Sequence, residues 1–547
     1  MRTPFTRLLV FIGIVLLLGC LMLWFDDLGA RIAIVDSAVF VKQSVASPLA
    51  ANSHNTTSPS GINHDALTFA TNVTADFPYP AISTTFTMTC DYDVSRIEKW
   101  QRKYELGRRL EYTKRYIKIS RRDIQRHILT KLDQKFQAVP AKIVDVRKRY
   151  KAGICPEPLT VPVTRSRYPS TANASDFILG VSTTYKRFND SGATLVNEWA
   201  YWLTDSQSHS NGGKLILLLS DASDRELRDA QDTLTRTGID AEVYRADPTL
   251  PMAVRYLALV PKMYNHPDRK GRKWIVTCDD DTFFSSLHAL AQRFREFDHE
   301  QPLYIGTFSE DALNVQRHGE QAFGGAGVFL SVPLAKTITQ RYASCSSADK
   351  VHEADTGWGP QGDVLLRKCI YENSATKLTL LDGLWQLDLV GDPSGFYESG
   401  VRPLSLHHYR GGMWHVAHPW EYTKVSHVCG EDCLLQRFRT ADDFVLATSF
   451  SVAHYPKGID FDLNQTERTF RPVEEGGWNF DYSLGPQRPS LHNTGRKLSW
   501  DLQESAVNPD GTVTQVYVRK TSDPRWKEPS GKPMRELDGI IELVWVP

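Results

Sequence analysis

The sequence predicts an α/β protein built on a mostly parallel sheet with helices on both faces. Apolar runs of strand length alternate with helix-length segments from Asp176 onward. The runs are close to continuously hydrophobic, as strands covered on both faces must be. Polar residues gather just past their carboxyl ends, where open α/β sheets bind ligands.

The elements follow in order. FILGVSTT (177–184) is an apolar run with β-branched residues, and SGATLVNEWAYWL (191–203) reads as a helix capped by Ser191. KLILLLSD (214–221) is a second buried strand. SDRELRDAQDTLTRTG (223–238) follows as a helix with an acidic first turn and a terminal glycine. AEVYRA is a third strand, with a helix around AVRYLALVPKMY. WIVTC (274–278) is the fourth, and SSLHALAQRFREF the helix after it.

The flanks differ from this body. Arg2 and Arg7 precede an apolar run from Leu8 to Phe25, followed by Asp26 and Asp27. About 18 apolar residues just span a bilayer, and basic residues before the run place the N-terminus in the cytosol. Residues 1–28 therefore read as a cytosolic tail and transmembrane signal anchor, and 29–93, rich in Ser, Thr, Asn and Ala, as a flexible stem. Residues 94–170 are charged and read as a basic helical region, 171–435 as the α/β domain, and 436–547 as a β-rich C-terminal extension.

Lysine plus arginine and aspartate plus glutamate number 64 each, which gives a nucleic-acid partner no global electrostatic support. Two features suit a lumenal body. Asn55, Asn72, Asn173, Asn189 and Asn464 each begin an N-x-S/T sequon. Beyond Cys20 there are seven cysteines, an odd number that suggests three bridges and one free thiol. Cys278, inside a core strand, is the natural unpaired one; Cys90 with Cys155, Cys345 with Cys369, and Cys429 with Cys433 are plausible pairs, though spacing does not fix connectivity.

The chemistry gathers in four places. Asp279, Asp280 and Asp281 suit a hard cation such as Mg2+ or Mn2+, which completes its shell with substrate phosphates; a cap for the next helix or a calcium site is the alternative. AFGGAGVFLS (322–331) sets Gly324 and Gly325 before a strand, allowing either close backbone approach or a plain turn. Asp363 begins a helix, which a simple capping role would explain. PLSLHHYRGG ends a strand-like run with His407 and His408.

The ordered motifs FILGVSTTYKRF, KLILLLSD, WIVTCDDDTFF, YIGTFSE, FGGAGVFLS, WGPQGDVLLRKC, QLDLVGDPSGFYESG and PLSLHHYR resemble the fringe-like glycosyltransferases, the group that includes core-1 β1,3-galactosyltransferase. The resemblance covers roughly Asp176 to Arg410. It implies a GT-A fold, Rossmann-like, with a UDP-sugar donor, Mn2+ (or Mg2+) and inversion at the sugar. By position, DDD resembles the family's DxD motif, with Asp281 the direct metal ligand and Asp279 and Asp280 supporting metal or donor. SLHH resembles the segment whose late histidine completes the metal shell, favouring His407 over His408. VSTT resembles the uridine-lining segment, implicating Val181, Thr183, Thr184 and Arg187, with Asp221 a further nucleotide-proximal acid. Asp363 resembles the general base.

The function so implied is transfer of a sugar, β1,3-linked, from a UDP-sugar to a glycan or glycoprotein by a single-pass type II enzyme of the Golgi membrane. The alternative is a catalytically silent relative acting as a lumenal scaffold. Gly324 and Gly325 would let a sugar pack on backbone; Trp358 fits a stacking surface or a core position equally.

Overall fold

The computed structural model describes residues 88–153, 155–190, 194–471 and 484–547. The expected tail and anchor, most of the stem, the sequons at Asn55 and Asn72, and the Ser191 cap lie outside the described residues. Among the described residues no helix is long and apolar enough to cross a membrane.

A seven-stranded sheet carries the site. Its spatial order is Leu378–Leu380, Tyr304–Gly306, Val328–Ser331, Trp274–Cys278, Phe177–Thr184, Lys214–Ser220, Ala241–Arg245. Within it only Val328–Ser331 runs against the others. Successive residues of a strand face opposite sides, and two cores result. Ile178, Ile216 and Ile275 pack with Leu257, Val260 and Met263 of the helix Met252–Tyr264. Leu179, Val181, Leu215 and Val276 join Trp199 and Trp202 of the helix Thr194–Leu203. The mixed α/β body expected from the apolar runs is present.

Chain order in this sheet places the crevice. From Phe177–Thr184 the chain steps outward through Lys214–Ser220 to Ala241–Arg245, then returns to lay Trp274–Cys278 on the other side of the first strand. The strand order thus reverses between Phe177–Thr184 and Trp274–Cys278, which leaves a cleft at their carboxyl ends.

A second sheet corrects the reading of 94–170 as helical. Among the described residues α-helix there is confined to Val94–Lys103; Arg109–Arg122 is a 14-residue strand, followed by Leu129–Lys131, Lys142–Asp145 and Leu159–Thr164. Leu110, Tyr112, Ile117 and Ile119 are buried, while Arg109, Lys118 and Arg122 face solvent. The period is close to two, and Tyr, Ile and Thr favour strands; the density of Lys and Arg obscured it. The strand Asp538–Val546 lies parallel to Arg109–Arg122, in register from Leu110 with Asp538 to Lys118 with Val546. Residues near both ends of the described chain therefore share one sheet, together with Phe444–Ala447, Ser451–His454, Leu498–Val507 and Val513–Arg519. One apolar core extends from Leu179 and Trp199 to Leu502, Tyr517 and Trp545.

Residues 88–93, assigned to the stem, are tied to this sheet. The Tyr116 hydroxyl donates to Thr89 O (2.9 Å) and accepts from Thr89 N (3.0 Å), and Cys90 bridges Cys155. Cys345 bridges Cys369, Cys429 bridges Cys433, and Cys278 is free and buried. Asn173, Asn189 and Asn464 are exposed.

Candidate active site

Trp274–Cys278 ends at the cleft, where Asp280 parts from Asp279 and Asp281. A tight turn makes this possible: the Asp279 N–H donates to Thr282 Oγ1 (3.1 Å), and the Thr282 N–H returns to Asp279 O (3.2 Å). Thr282 Oγ1 donates onward to Gly325 O (2.9 Å), joining the aspartate turn to the glycine pair.

Asp280 turns inward. It accepts from Thr183 Oγ1, at the end of the neighbouring strand, and from both sides of the Arg187 guanidinium, with Nε at 2.7 Å. This bidentate bond raises the Arg187 pKa against the opposing effect of burial. The expected uridine-lining residues Thr183 and Arg187 are thus brought to Asp280. Thr184 Oγ1 instead accepts from Arg187 N (3.0 Å) at the start of the helix Tyr185–Asp190. Val181 has its side chain wholly in the core. Asp221 stands exposed after Lys214–Ser220 with φ +57°, at the same sheet edge but outside this network.

Asp279 and Asp281 face His407. Its Nε2 lies 3.1 Å from Asp281 Oδ1 and 3.4 Å from Asp279 Oδ2, and one ligand atom from each of the three residues lies within 4.8 Å of the others. The other ring nitrogen, Nδ1, lies 3.1 Å from the Gln386 carbonyl. A carbonyl only accepts, so Nδ1 carries hydrogen and Nε2 is the atom offered to the carboxylates. Burial opposes charge on His407, but Asp281 and Asp279 outweigh it and hold its pKa well above the usual value. Burial likewise opposes charge on Asp281, and His407 holds that carboxyl well below its ordinary range. Two carboxylates and an imidazole nitrogen pointed at one position form a hard-cation donor set.

His408 takes a different path. Its φ of +53° is rare for a residue with a side chain. Its Nδ1 lies 2.8 Å from Asp388, and its ring stacks on Trp414 at 4.2 Å. Asp388 is buried and also accepts from Ser309 and from Asn314 (2.8 Å). The two histidine rings are 3.7 Å apart, so this buried acid network braces His407 from behind.

Asp363 lies across the glycine pair, at the start of the helix Gly362–Asn373. It accepts from Gly324 N (3.1 Å). Burial pushes its pKa up to about 6, partly offset by the Gly324 N–H, with the Asp279 charge adding to the rise. A carboxylate so placed can take a proton near neutral pH.

Glu198, which the sequence reading passed over, adds a further acid. It is buried in the helix Thr194–Leu203 and accepts from Tyr409 OH (2.8 Å) and from Arg410. Burial lifts its pKa to about 7 against the pull of Arg410. A lone glutamate inside the apolar run TLVNEWAYWL was the available signal.

A second acidic group, Glu242, His266 and Asp268, has cation-like spacing. Lys214 Nζ already occupies its centre, 3.2 Å from Glu242, 2.9 Å from Asp268 and 3.0 Å from Asp240. The ammonium neutralises these acids as part of the fold.

Residues 173–390 match the family model described as Fringe-like; the match ends before His407. Comparison with curated proteins gives no match. Among solved structures, the chain is similar to mouse xyloside xylosyltransferase 1 in its apo form, with 15% identity over 38% of this chain and 84% of that one, at a TM-score of 0.25. It is similar to the galactosyltransferase LgtC in complex with donor and acceptor sugar analogs, with 12% identity over 38% and 73% of the two chains, at 0.27. It is also similar to the mannosyltransferase PcManGT from Pyrobaculum calidifontis in complex with GDP-Man and Mn2+, with 10% identity over 40% and 59%, at 0.23.

Proposed function

We propose that this protein is an inverting, metal-dependent glycosyltransferase of GT-A type, moving a sugar from a UDP-sugar to a hydroxyl of a glycan or glycoprotein in β1,3 linkage. The observation that carries the reading is the convergence of Asp279, Asp281 and His407 on one position, with Asp363 held across Gly324 from them. The Fringe-like match over residues 173–390 supports it independently.

Asp279, Asp281 and His407 Nε2 would hold Mn2+ or Mg2+, which in such a site stabilises charge on a departing diphosphate. The chain's own residues account for the rest. Arg187 and Thr183 fix Asp280 at the sheet edge, leaving the nucleotide a rigid floor. Asp363 takes the proton from the acceptor hydroxyl as that oxygen attacks the anomeric carbon from the face opposite UDP. The bond to the β-phosphate oxygen breaks, configuration inverts, and no covalent enzyme intermediate is needed. The Asp388–His408 pair keeps His407 oriented.

The proposal extends to topology. The apolar run from Leu8 to Phe25 would anchor the chain in the Golgi membrane with the body lumenal. Three disulfides among the described residues suit an oxidising compartment.

The test is UDP release by the full-length protein from a panel of UDP-sugars, with Mn2+ and with chelator. Mn2+-dependent release from one donor, abolished in Asp281→Asn, is expected. Binding of UDP and Mn2+ without turnover of any donor, with or without glycan acceptors, would favour the silent scaffold.

A further inference from the structure

Trp358 is built to be exposed. It stands in the loop between Glu353 and Gly362, just before the helix that carries Asp363, and 60% of its surface faces solvent. That excludes a core role for the largest apolar side chain, whose burial would ordinarily stabilise the fold.

The loop is shaped to hold it there. Asp355 Oδ1 accepts from the N–H groups of Gly357 (2.8 Å) and Gly359 (3.0 Å), and Asp355 pairs with Pro360 in an isolated bridge. Gly357 and Gly359, on either side of the tryptophan, have φ of +98° and +85°, which glycine alone adopts without strain. Gln361 Nε2 donates to the carbonyls of Gly359 (2.9 Å) and Trp358 (3.3 Å). Arg317 lies over the indole at 4.0 Å from its centroid, and the His318 ring meets its edge at 6.0 Å.

Both ends of this arrangement lead to the same carboxylate. Along the chain, Trp358 is five residues before Asp363, which limits their Cα separation to roughly 17 Å. Through space, His318 packs on Phe323 at 6.0 Å and bonds Thr356 of the loop at 2.8 Å, while the next residue, Gly324, donates to Asp363. An indole with one face backed by a cation and most of its surface open suits the apolar C–H face of a sugar ring.

We propose that Trp358 is the platform on which the acceptor sugar stacks, presenting a hydroxyl to Asp363. This rests on the transferase reading above. The acceptor it implies is a neutral pyranoside with several axial hydrogens on one face, at or near the end of a glycan.

The test separates the two readings. UDP release from the donor without acceptor, which needs only the metal and nucleotide residues, is measured beside binding of p-nitrophenyl glycosides of galactose, N-acetylgalactosamine, N-acetylglucosamine, mannose and fucose by saturation-transfer NMR. Full-length wild-type, Trp358→Ala and Trp358→Phe proteins are compared. The proposal expects donor hydrolysis within twofold of wild type in both variants. It also expects glycoside binding weakened ten- to fiftyfold in Trp358→Ala and largely restored in Trp358→Phe. Trp358→Ala binding glycosides as wild type does would overturn it, as would failure of every glycoside to bind a wild-type protein that hydrolyses donor. No turnover of any donor by the wild type, with or without acceptor glycoside, while glycoside binding still depends on Trp358, would overturn the transferase reading and leave the sugar platform standing.

Discussion

A Cβ on Gly325 would stand 2.0 Å from Cε1 of His407. Gly325 lies flat against the imidazole that faces Asp279 and Asp281, and its missing side chain is the space the ring occupies. The second glycine of AFGGAGVFLS therefore serves the histidine, where the sequence suggested room for a sugar.

Gly325→Ala is accordingly expected to push His407 from the aspartates. Mn2+ affinity, measured by electron paramagnetic resonance titration, falls at least tenfold, and stability falls by about 1–3 kcal/mol because the added methyl overpacks a buried ring with His408 behind it. Gly324→Ala has a smaller effect, since its Cβ would meet the Tyr256 hydroxyl at 3.0 Å and Asp279 at 3.4 Å. Equal losses in the two variants would contradict this account.

Asp363→Asn removes the proposed base and leaves the metal residues intact. Transfer falls by about 10²–10⁴-fold, and calorimetric UDP–Mn2+ binding stays within threefold of wild type. Asp363 works only when deprotonated, and burial raises its pKa to about 6. Transfer therefore declines as pH falls through about 6 and levels off above it. Bound metal near Asp279 would shift this limb to lower pH, never higher. An acid limb unchanged in Asp363→Asn would assign the proton to another group.

Lower pH also weakens the metal site itself. Asp281 and Asp279 raise the His407 pKa against burial, so a proton competes with the cation for Nε2. Mn2+ affinity is expected to rise with pH across the neutral range, with about one proton released per ion bound, measured by calorimetry in buffers of different ionisation enthalpy. His407→Gln should flatten that dependence.

Phe177–Thr184, Lys214–Ser220, Ala241–Arg245, Trp274–Cys278 and the strand after Gly325 were legible as apolar runs that end in polar residues, whereas Tyr304–Gly306 and Leu378–Leu380, three residues each, are too short to show a period. The three adjacent aspartates stood out by themselves as a hard-cation site, the individual roles of Asp281, His407 and Asp363 came through a resemblance, and the structure brings Asp279, Asp281, His407 and Asp363 to one cleft. Arg109–Arg122 was hidden because six of its fourteen residues are Lys or Arg, and the long-range pairing with Asp538–Val546 that stabilises it leaves no local trace. Glu198 and Asp388 were missed for a related reason. A buried acid is intelligible only once its partners, Arg410 and His408, are near it in space.

That pairing makes a prediction of its own. Trp545 is fully buried, and its Nε1 donates to Gln515 at 2.7 Å. Trp545→Ala should lower stability by about 3–5 kcal/mol, measured by denaturant unfolding. Deleting residues 538–547 leaves the edge of Arg109–Arg122 without its partner, and no soluble protein is expected. A truncated protein with wild-type UDP release would show that this strand is dispensable to the site.

The central claim is that Asp279, Asp281 and His407 bind a divalent cation together with a nucleoside diphosphate. Calorimetric titration of UDP into the full-length protein, with Mn2+ and with chelator, tests it most directly. The account predicts saturable UDP binding that requires Mn2+ and is weakened at least a hundredfold in Asp281→Asn. UDP binding that ignores both Mn2+ and the Asp281→Asn change, or no binding at all, would contradict it and leave the three aspartates as a structural turn.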